Sequence, residues 1–415
     1  MKLLVYGHWS HTGFGVVTEA LASRFLAAGV DVRVIAVNHR GEPIPDPIGQ
    51  RIWPSTFHGD SHGGNFSNAA IDGSFWKQFG EEWKPDAVLV IADVSGLMGH
   101  IGPKGVTPTW KSVPVFHYCP IEGDNLSIGW RGLWNDVHPV AMSRYGADII
   151  EQHIGRPVPM IYHGVDTVAY HPVSFANPIR FDGSTLTTRE ACKAKFGIPA
   201  DRKVILRSDR LVERKFYDVF FRALPPILDA VPEADVVVHC SPVDGGLSMY
   251  EEIGRMSPEY LPRLRLTNAH STFRGLPVEG MAALMNAADV YLSTTGGEGF
   301  GLNLAEAMAC ETPVVVTDWA ADREVVGPGG YVVPPLIDQY GEPVRYHSIS
   351  YGMDWAVPDP RAFVAPTVEL LTRKSRRQEM GRAGRKHVTE SFSWDEAAAS
   401  FLGLFTEALA QDRAA

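Results

Sequence analysis

The feature that most constrains this chain is the stretch of residues 290–317. A short apolar run, a glycine-rich loop, a helical pattern and a second apolar run follow one another there. Continuous apolar runs of this length, bounded by turn residues, are typical of strands that are buried on both faces. The order strand, loop, helix, strand predicts a parallel α/β sheet. Ligands of such sheets bind beyond the carboxyl ends of the strands.

The loop and helix carry two carboxylates, Glu298 and Glu306, with Gly-Phe-Gly-Leu-Asn-Leu-Ala between them. If the helix starts near Gly301, a rise of ~1.5 Å per residue sets the carboxylates on the order of 10 Å apart. They therefore cannot share one proton or one metal ion. The N–H groups at the helix start favour phosphate, so the spacing suits a ligand with two hydroxyl-bearing ends and an anionic middle, such as a nucleotide sugar. A solvated helix after a simple turn is the alternative.

Three segments together resemble the retaining nucleotide-sugar glycosyltransferases of family four. They are residues 286–318, the sequence Ser-Asp-Arg-Leu-Val-Glu-Arg-Lys at 208–215, and His-Gly-Val-Asp at 163–166. Each motif alone is weak, but their combination and order are specific. The resemblance extends over most of the chain and implies the GT-B fold, an α/β architecture of two Rossmann-like doubly wound parallel-sheet domains facing across a cleft.

The resemblance also implies roles for particular residues. Arg210 and Lys215 are expected to grip the diphosphate, Glu306 to hold the ribose, and Glu298 to lie at the transferred sugar. The catalytic set implied in this way is Glu298, His117, Arg210 and Lys215. The backbone expected to bind the donor beside the two carboxylates consists of Gly299, Phe300, Gly301 and Leu302.

Two departures from the family pattern lie next to the basic pair. Phe216 follows Lys215 where the family usually has glycine, and Asp209 precedes Arg210 where glycine is also usual. Neither change removes a charge from the expected diphosphate clamp. Either could change the conformation of the loop, and with it the choice of base or sugar.

A second glycine loop, ending in Gly13, Phe14 and Gly15, follows the predicted strand at residues 3–6 and precedes a helical pattern at 16–28. A tight turn between strand and helix explains these glycines equally well. The resemblance implies that Gly13, Phe14 and Gly15 face the donor phosphates from the opposite domain.

His117 lies near the carboxyl end of a predicted strand at residues 114–118. It is expected to lie near four other histidines on the cleft side of the first domain, namely His8, His11, His58 and His62. Most histidines in such positions are hydrogen-bonded structural residues. The resemblance implies that His117 contacts the donor sugar, with a role as acid or base as the weaker expectation.

At 415 residues the chain is too long for one average core and predicts two domains. With the resemblance, residues 1–170 are expected to form an acceptor-side domain and 171–390 a nucleotide-sugar-binding domain. Residues 391–415 are expected to form a helix that packs back on the first domain.

Three irregular segments interrupt these domains. Residues 169–188 contain Pro, Gly, Ser and Thr residues that break any period and indicate a linker. Residues 41–84 form a long loop region rich in Pro, Gly, Ser and aromatic residues. The resemblance implies that these loops define the acceptor, and simple packing of a long loop is the alternative. Residues 336–358 are an insertion relative to the family, which we interpret as a lid, a partner surface or an acceptor rim without choosing among them.

Composition and charge argue against several classes of protein and of binding site. Four scattered cysteines without a Cys-x-x-Cys pair predict free thiols and no zinc site. The first residues read as a strand and no apolar run reaches 18 residues, which predicts a cytoplasmic protein without a transmembrane segment. The net charge of -10 speaks against broad binding to nucleic acid. The basic run at residues 373–386 predicts a solvated helix face, with a polyanion patch as the alternative.

The expected reaction is transfer of a sugar from a nucleotide-diphosphate sugar to a hydroxyl acceptor, with retention implied by the resemblance alone. No Asp-x-Asp occurs, so we expect no metal site and no cofactor, and charge stabilisation by Arg210, Lys215 and the helix dipole. The acceptor (a sugar, a lipid-linked group, a small molecule or DNA) and the oligomeric state stay open. The alternatives are a glycosyltransferase acting on a modified DNA base and a nucleotide-sugar epimerase or hydrolase of the same fold.

Overall fold

The structure is a computed structural model that describes residues 1–10, 12–37, 48, 51–55, 83–94, 113–135, 137–244, 246–267 and 275–414. It divides into two compact units. The first comprises Met1–Gly164, Ser348–Met353 and Trp394–Ala415, and the second comprises Val165–His347 and Asp354–Ser393. The last helix of the chain therefore belongs to the first unit.

Eighteen strands lie within the described residues. They are β1 (Lys2–His8), β2 (Asp31–Val37), β3 (Ile52–Ser55), β4 (Ala87–Ile91), β5 (Val115–Cys119), β6 (His138–Ala141), β7 (Ile179–Phe181), β8 (Ser184–Leu186), β9 (Lys203–Arg207), β10 (Ala234–Val238), β11 (Val243–Asp244), β12 (Leu247–Ser248), β13 (Leu264–Leu266), β14 (Val290–Ser293), β15 (Val314–Thr317), β16 (Gly330–Val333), β17 (Arg345–Ser348) and β18 (Met353–Ala356).

The same residues form eleven α-helices. They are α1 (Gly13–Ala27), α2 (Arg144–Ile154), α3 (Arg189–Lys195), α4 (Tyr217–Ala230), α5 (Met249–Gly254), α6 (Val278–Ala287), α7 (Leu302–Ala309), α8 (Asp322–Val326), α9 (Val364–Thr372), α10 (Lys374–Ser391) and α11 (Trp394–Ala414).

The first unit is built on a six-stranded parallel sheet in the order β3-β2-β1-β4-β5-β6. Its strands are apolar and buried, as β4 shows with five buried residues in a row. Helix α11 packs on α1 through aromatic rings, with Phe401 and Phe405 at 6.3 and 5.9 Å from Phe25 between ring centroids. This contact places the end of the chain in the core of the first unit.

The second unit repeats the plan with a six-stranded sheet in the order β13-β10-β9-β14-β15-β16, again parallel throughout. Both orders are the doubly wound order 3-2-1-4-5-6, in which chain order reverses between the first and the fourth strand. The predicted α/β class with two doubly wound parallel sheets is confirmed.

All three irregular segments contain strands that we did not predict, and those of residues 336–358 are β17 and β18. Residues 169–188 do not form a structureless linker, because β7 and β8 pair as an antiparallel hairpin. The turn between them is Asp182-Gly183, and both residues have positive φ, 47° and 71°, as a two-residue hairpin turn requires. In the segment 41–84, β3 pairs with β2, while most of the remaining residues lie outside the described part of the chain.

The basic run lies on α10, a predicted helix that is confirmed, but two of its arginines do not face solvent. Arg377 donates to the carbonyls of Leu370 and Leu371, and Arg385 donates to Tyr170 O at 3.1 Å. These side chains stabilise the second unit and are not available to a polyanion.

Nowhere in the described ranges is there a helix with the length and apolar character needed to span a membrane. All four cysteines are unbridged, as predicted.

Candidate functional site

The second sheet has its reversal point between β9 and β14, which are hydrogen-bonded neighbours. Doubly wound sheets bind ligands at this point, beyond the carboxyl ends of the strands. Residues 208–216 follow β9 and residues 294–301 follow β14. The two segments with the strongest family resemblance therefore leave the sheet side by side.

A network of buried ion pairs connects these two segments. The Lys215 ammonium donates to Asp209 Oδ1 at 3.0 Å and also to Glu298 Oε1. Arg214 donates to the second oxygen of Glu298 at 3.0 Å and to Gly297 O at 2.5 Å. The Lys215 and Glu298 side chains are each only 10% exposed. The predicted site residues Lys215 and Glu298 are therefore in direct contact.

Both carboxylates of the network are held in the ionised form. Burial acts to raise the pKa of Glu298, but Arg214 and Lys215 more than offset it, and the pKa lies below its usual value. Burial likewise opposes ionisation of Asp209, yet Lys215, Arg207 and a hydrogen bond from Ser293 lower its pKa to about 2. Lys215 thus lies between two negative charges in the free protein.

Arg207, at the end of β9, contacts both loops of this network. Its guanidinium is fully buried and its carbon lies 4.1 Å from the centroid of the Tyr217 ring. It donates to the Thr294 hydroxyl and to Lys215 O, and its Nε lies 3.5 Å from Asp209. One side chain therefore fixes the two loops relative to each other.

Arg210 does not join the network. Its side chain is 53% exposed and forms two hydrogen bonds with Asp244, at 3.0 and 3.2 Å. Arg214, which we did not select from the sequence, lies beside Lys215 at Glu298 instead. Exposed ion pairs contribute little in water, so a phosphate could replace Asp244 at Arg210 at small cost. The diphosphate role of Arg210 stays a prediction.

The glycine loop ends where the sequence predicted. Helix α7 begins at Leu302, and its cap residue Gly301 has a left-handed backbone with φ of 90°, which residues with a Cβ adopt only at a cost. The ring of Phe300 is buried against Phe392, with ring centroids 5.0 Å apart. The backbone of Gly299, Phe300, Gly301 and Leu302 lies at the start of α7, beside Glu298. Its role in binding the donor stays a prediction.

Glu306 lies on α7 away from the ion-pair network. Its carboxyl is buried and hydrogen-bonded by the Tyr170 hydroxyl. Burial is the main reason that its pKa rises to about 8, with the hydrogen bond from Tyr170 acting in the opposite direction. Unlike Glu298, it has no cationic partner among these contacts and is largely protonated at neutral pH.

The Glu306→Gln variant is expected to remove a pH dependence of stability. The folded pKa of about 8 lies above the unfolded value of 4.5, so the wild type loses stability as the pH rises from the unfolded towards the folded value. The loss amounts to roughly 2–3 kcal/mol between pH 6 and pH 8. Urea unfolding of both proteins across this range should show that the free energy of unfolding of the variant increases relative to that of the wild type as the pH rises. A constant difference would contradict the assignment, and exposed Glu279→Gln serves as the control.

In the first unit, Gly13, Phe14 and Gly15 begin α1. The Thr12 hydroxyl caps the helix by accepting from the Gly15 N–H at 3.3 Å, and a Cβ at Gly15 would lie 1.8 Å from Ser10 O. Close packing of loop and helix therefore requires this glycine. The contact of Gly13, Phe14 and Gly15 with donor phosphates stays a prediction.

His117 is fully buried within β5, and both ring nitrogens are engaged. Trp134 Nε1 donates to Nδ1 at 3.1 Å, and Nε2 lies 3.0 Å from Ala92 O. Burial lowers its pKa to about 4, so the ring is neutral, with its proton on Nε2. This is the geometry of a structural histidine, and contact with a donor sugar would require it to give up one of these bonds. His11, His58 and His62 lie outside the described residues.

A further carboxyl next to the network was not apparent from the sequence. Asp322, at the start of α8, is fully buried, and neither of its oxygens has a hydrogen-bond partner among the described residues. Burial and the charge of Glu298 raise its pKa well above the usual value. The preceding segment is tied to Glu298, since Ala321 N donates to Glu298 O at 3.1 Å and Ala320 has φ of 51°. Burial and this neighbouring charge therefore favour the neutral form of the Asp322 carboxyl.

A cavity of about 300 Å³ opens beside the loop of residues 211–218. Four carboxylates and no basic side chains are among its lining residues in the described part of the chain; the acidic ones are Glu213, Asp218, Glu251 and Glu252. A diphosphate is repelled by such a lining. This cavity is therefore unsuited to a diphosphate.

Comparison with known proteins finds a family match for part of the second unit. Residues 202–342 match the sequence model of Glycosyl transferases group 1. The D-inositol 3-phosphate glycosyltransferase of Xylanimonas cellulosilytica is 30% identical over 266 residues, which are 64% of this chain and 53% of that protein. The GDP-mannose-dependent monoacylated alpha-(1-6)-phosphatidylinositol monomannoside mannosyltransferase of Corynebacterium glutamicum is 27% identical over 226 residues, which are 52% of this chain and 50% of that protein. The chain spans about half the length of the curated relatives it matches.

Among solved structures, sucrose-phosphate synthase from Thermosynechococcus elongatus matches over the whole length. The TM-score is 0.73 at 16% identity, and the match covers 99% of this chain and 100% of that chain. At this identity the likeness shows a shared fold.

Proposed function

Since residues 202–342 belong to the group 1 glycosyltransferases and the whole chain has the GT-B fold, we propose that the protein transfers a sugar from a nucleoside diphosphate sugar to a hydroxyl group. A nucleotide-sugar donor is supported by the GDP-mannose-dependent relative. The proposal extends to the whole chain what the match gives for part of it.

One observation carries the proposal. Lys215, after β9, is bonded to Glu298, after β14, at the reversal point of the second sheet. Lys215 and Arg214 supply positive charge where a departing diphosphate needs stabilisation, and Glu298 supplies an ionised acceptor for sugar hydroxyls. A donor with its diphosphate at Lys215 and Arg214 and its sugar at Glu298 uses both of these cations and one of the two carboxylates of the network.

We propose that no metal ion takes part, because Lys215, Arg214 and Arg210 can offset the charge of the diphosphate. Excess EDTA is therefore expected to leave turnover unchanged, as measured by release of nucleoside diphosphate. Loss of turnover that added Mg²⁺ restores would contradict metal independence, while leaving the transferase assignment in place.

Retention of the anomeric configuration is part of the proposal and is supported by the family. The one-bond carbon–proton coupling at the anomeric centre of the glycoside product, compared by NMR with that of the donor, distinguishes retention from inversion. A product of opposite configuration to the donor would rule out retention.

The deciding experiment measures thermal stabilisation and diphosphate release with UDP-, GDP-, ADP- and TDP-sugars, first alone and then with a pool of hydroxyl acceptors. We expect one donor to stabilise the protein and to release diphosphate only when an acceptor is present. Release without any acceptor would instead indicate an epimerase or hydrolase. Dependence on DNA with a modified base would identify the acceptor as nucleic acid, and failure to bind any donor would overturn the proposal.

A further inference from the structure

The insertion at residues 336–358 is an ordered arm of regular hydrogen bonds. A backbone hydrogen bond from Leu336 N to Val357 O, at 2.8 Å, joins its two ends. Within the arm, Val344 N donates to Leu336 O, also at 2.8 Å. Strands β17 and β18 pair in a two-stranded sheet further along the arm. The arm therefore has a regular hydrogen-bonded structure.

An aromatic stack connects the arm to the loop that carries Lys215. The Tyr346 ring packs parallel to Trp355, at 5.9 Å between centroids and 13° between planes. The same Tyr346 ring meets Phe216 edge to face at 6.2 Å and 88°. Trp355 is 1% exposed and Tyr346 is 40% exposed, so the stack leads from the core of the unit to its surface.

Phe216 adopts a backbone that its side chain disfavours. Its φ is 42°, in the left-handed region, where a Cβ is strained and glycine is preferred. Glycine at this position would avoid the strain but would lack the Phe216 ring, which is the group that contacts Tyr346. Phe216, which stands where the family usually has glycine, thus contacts the arm that is an insertion relative to the family.

Gly296 lies in the loop after β14, enclosed by these same elements. Its N–H donates to Arg214 O at 2.8 Å, and its carbonyl accepts from Ala356 N of the arm at 3.1 Å. A Cβ at Gly296 would lie 2.7 Å from the Phe216 ring and 3.0 Å from Trp355 Cβ. The backbone two residues before Glu298 is therefore held on one side by the Lys215 loop and on the other by the arm.

From these contacts we propose that the inserted arm is a brace for the donor site, and that Tyr346 is a positioning residue that holds the Lys215 and Glu298 loops together through Phe216 and Gly296. The inference rests on the proposed function, because it gives the arm a role in donor binding. It assigns the insertion neither to a partner surface nor to acceptor contact.

Removal of the brace is expected to loosen the site without removing a charge from it. Small displacements of catalytic groups reduce turnover strongly, by roughly 100-fold for an error of about 1 Å. For Tyr346→Ala we expect the donor KM to rise and kcat to fall, each by roughly 3- to 10-fold, while the acceptor KM stays unchanged. Tyr346→Phe keeps the ring and is expected to behave as the wild type.

The test measures nucleoside diphosphate affinity by calorimetry, together with donor and acceptor kinetics, at a temperature where circular dichroism shows every variant folded. Tyr340→Ala is the matched control, because Tyr340 lies on the same arm but is 80% exposed. Phe216→Gly, alone and combined with Tyr346→Ala, completes a cycle. If the two rings act through each other, Phe216→Gly should cost little once Tyr346 is replaced.

The outcomes separate the brace from the proposed function. If the wild type binds no nucleoside diphosphate, the proposed function fails first and the brace fails with it. If the wild type binds but Tyr346→Ala retains full donor affinity and turnover, only the brace is overturned. Additive effects of Phe216→Gly and Tyr346→Ala, or a change in the acceptor KM alone, would also overturn it.

Discussion

Replacement of Lys215 by methionine is expected to weaken the binding of nucleoside diphosphate by roughly 10- to 100-fold, because a charge-assisted hydrogen bond to phosphate contributes about 1.5–3 kcal/mol. It is also expected to lower the free energy of unfolding by roughly 3 kcal/mol, because it leaves two buried carboxylates with one cation fewer. Those carboxylates are Asp209 and Glu298, both of which Lys215 contacts. The two effects have different causes and can be measured separately.

Calorimetry with the nucleoside diphosphate gives the first effect, and urea unfolding without ligand gives the second. Arg210→Met is the informative comparison, since Arg210 is half exposed and bonded only to Asp244 among the contacts described here. It is expected to weaken binding, by less than Lys215→Met does, and to leave stability nearly unchanged. Lys386→Met serves as the control, because Lys386 is 73% exposed and lies in an i,i+4 pair with Glu390.

Normal affinity in the folded Lys215→Met variant would remove Lys215 from the diphosphate site. Normal affinity in Arg210→Met alone would transfer the second cationic role to Arg214, whose side chain already contacts Glu298. The pair of variants thus decides which arginine completes the clamp.

Local sequence signals predicted the elements that position the site. The apolar run that begins at residue 290 forms the buried strand β14, Val290–Ser293, and α7 starts after Gly301, both as expected. Continuous apolar runs and a glycine at a left-handed cap are short-range signals, so one sequence suffices to read them. The hairpin of β7 and β8 was missed although Asp182-Gly183 is a short-range signal too, because its strands have only three residues each.

The charges of the site could not be predicted in the same way. That Lys215 contacts both Asp209 and Glu298 depends on β9 and β14 being neighbours in the sheet, which is a tertiary fact. The contrast between Glu298, with a lowered pKa, and Glu306, with a pKa of about 8, depends on which partners burial leaves to each. The sequence shows two equivalent glutamates, and the fold makes one an anion and the other largely a neutral acid.

The Glu298→Gln variant is expected to separate turnover from affinity. In the free protein Glu298 competes with any phosphate for Lys215 and Arg214. Loss of its negative charge therefore leaves those cations to the diphosphate, and nucleoside diphosphate affinity should rise several-fold. Turnover should fall by roughly 10²–10³-fold, because the ionised group that we propose to contact the transferred sugar is lost from the site.

Calorimetry with nucleoside diphosphate and steady-state kinetics with the donor test both halves of this expectation. Asp209→Asn is the matched comparison, because Asp209 also binds Lys215, at 3.0 Å, but is not predicted to contact the sugar. It should share the rise in affinity and lose much less turnover. If Glu298→Gln instead weakens diphosphate binding and leaves turnover intact, Glu298 serves only to hold Lys215 in place. The sugar would then lie elsewhere, and the buried carboxyl of Asp322, which has no hydrogen-bond partner among the described residues, would be the next group to test.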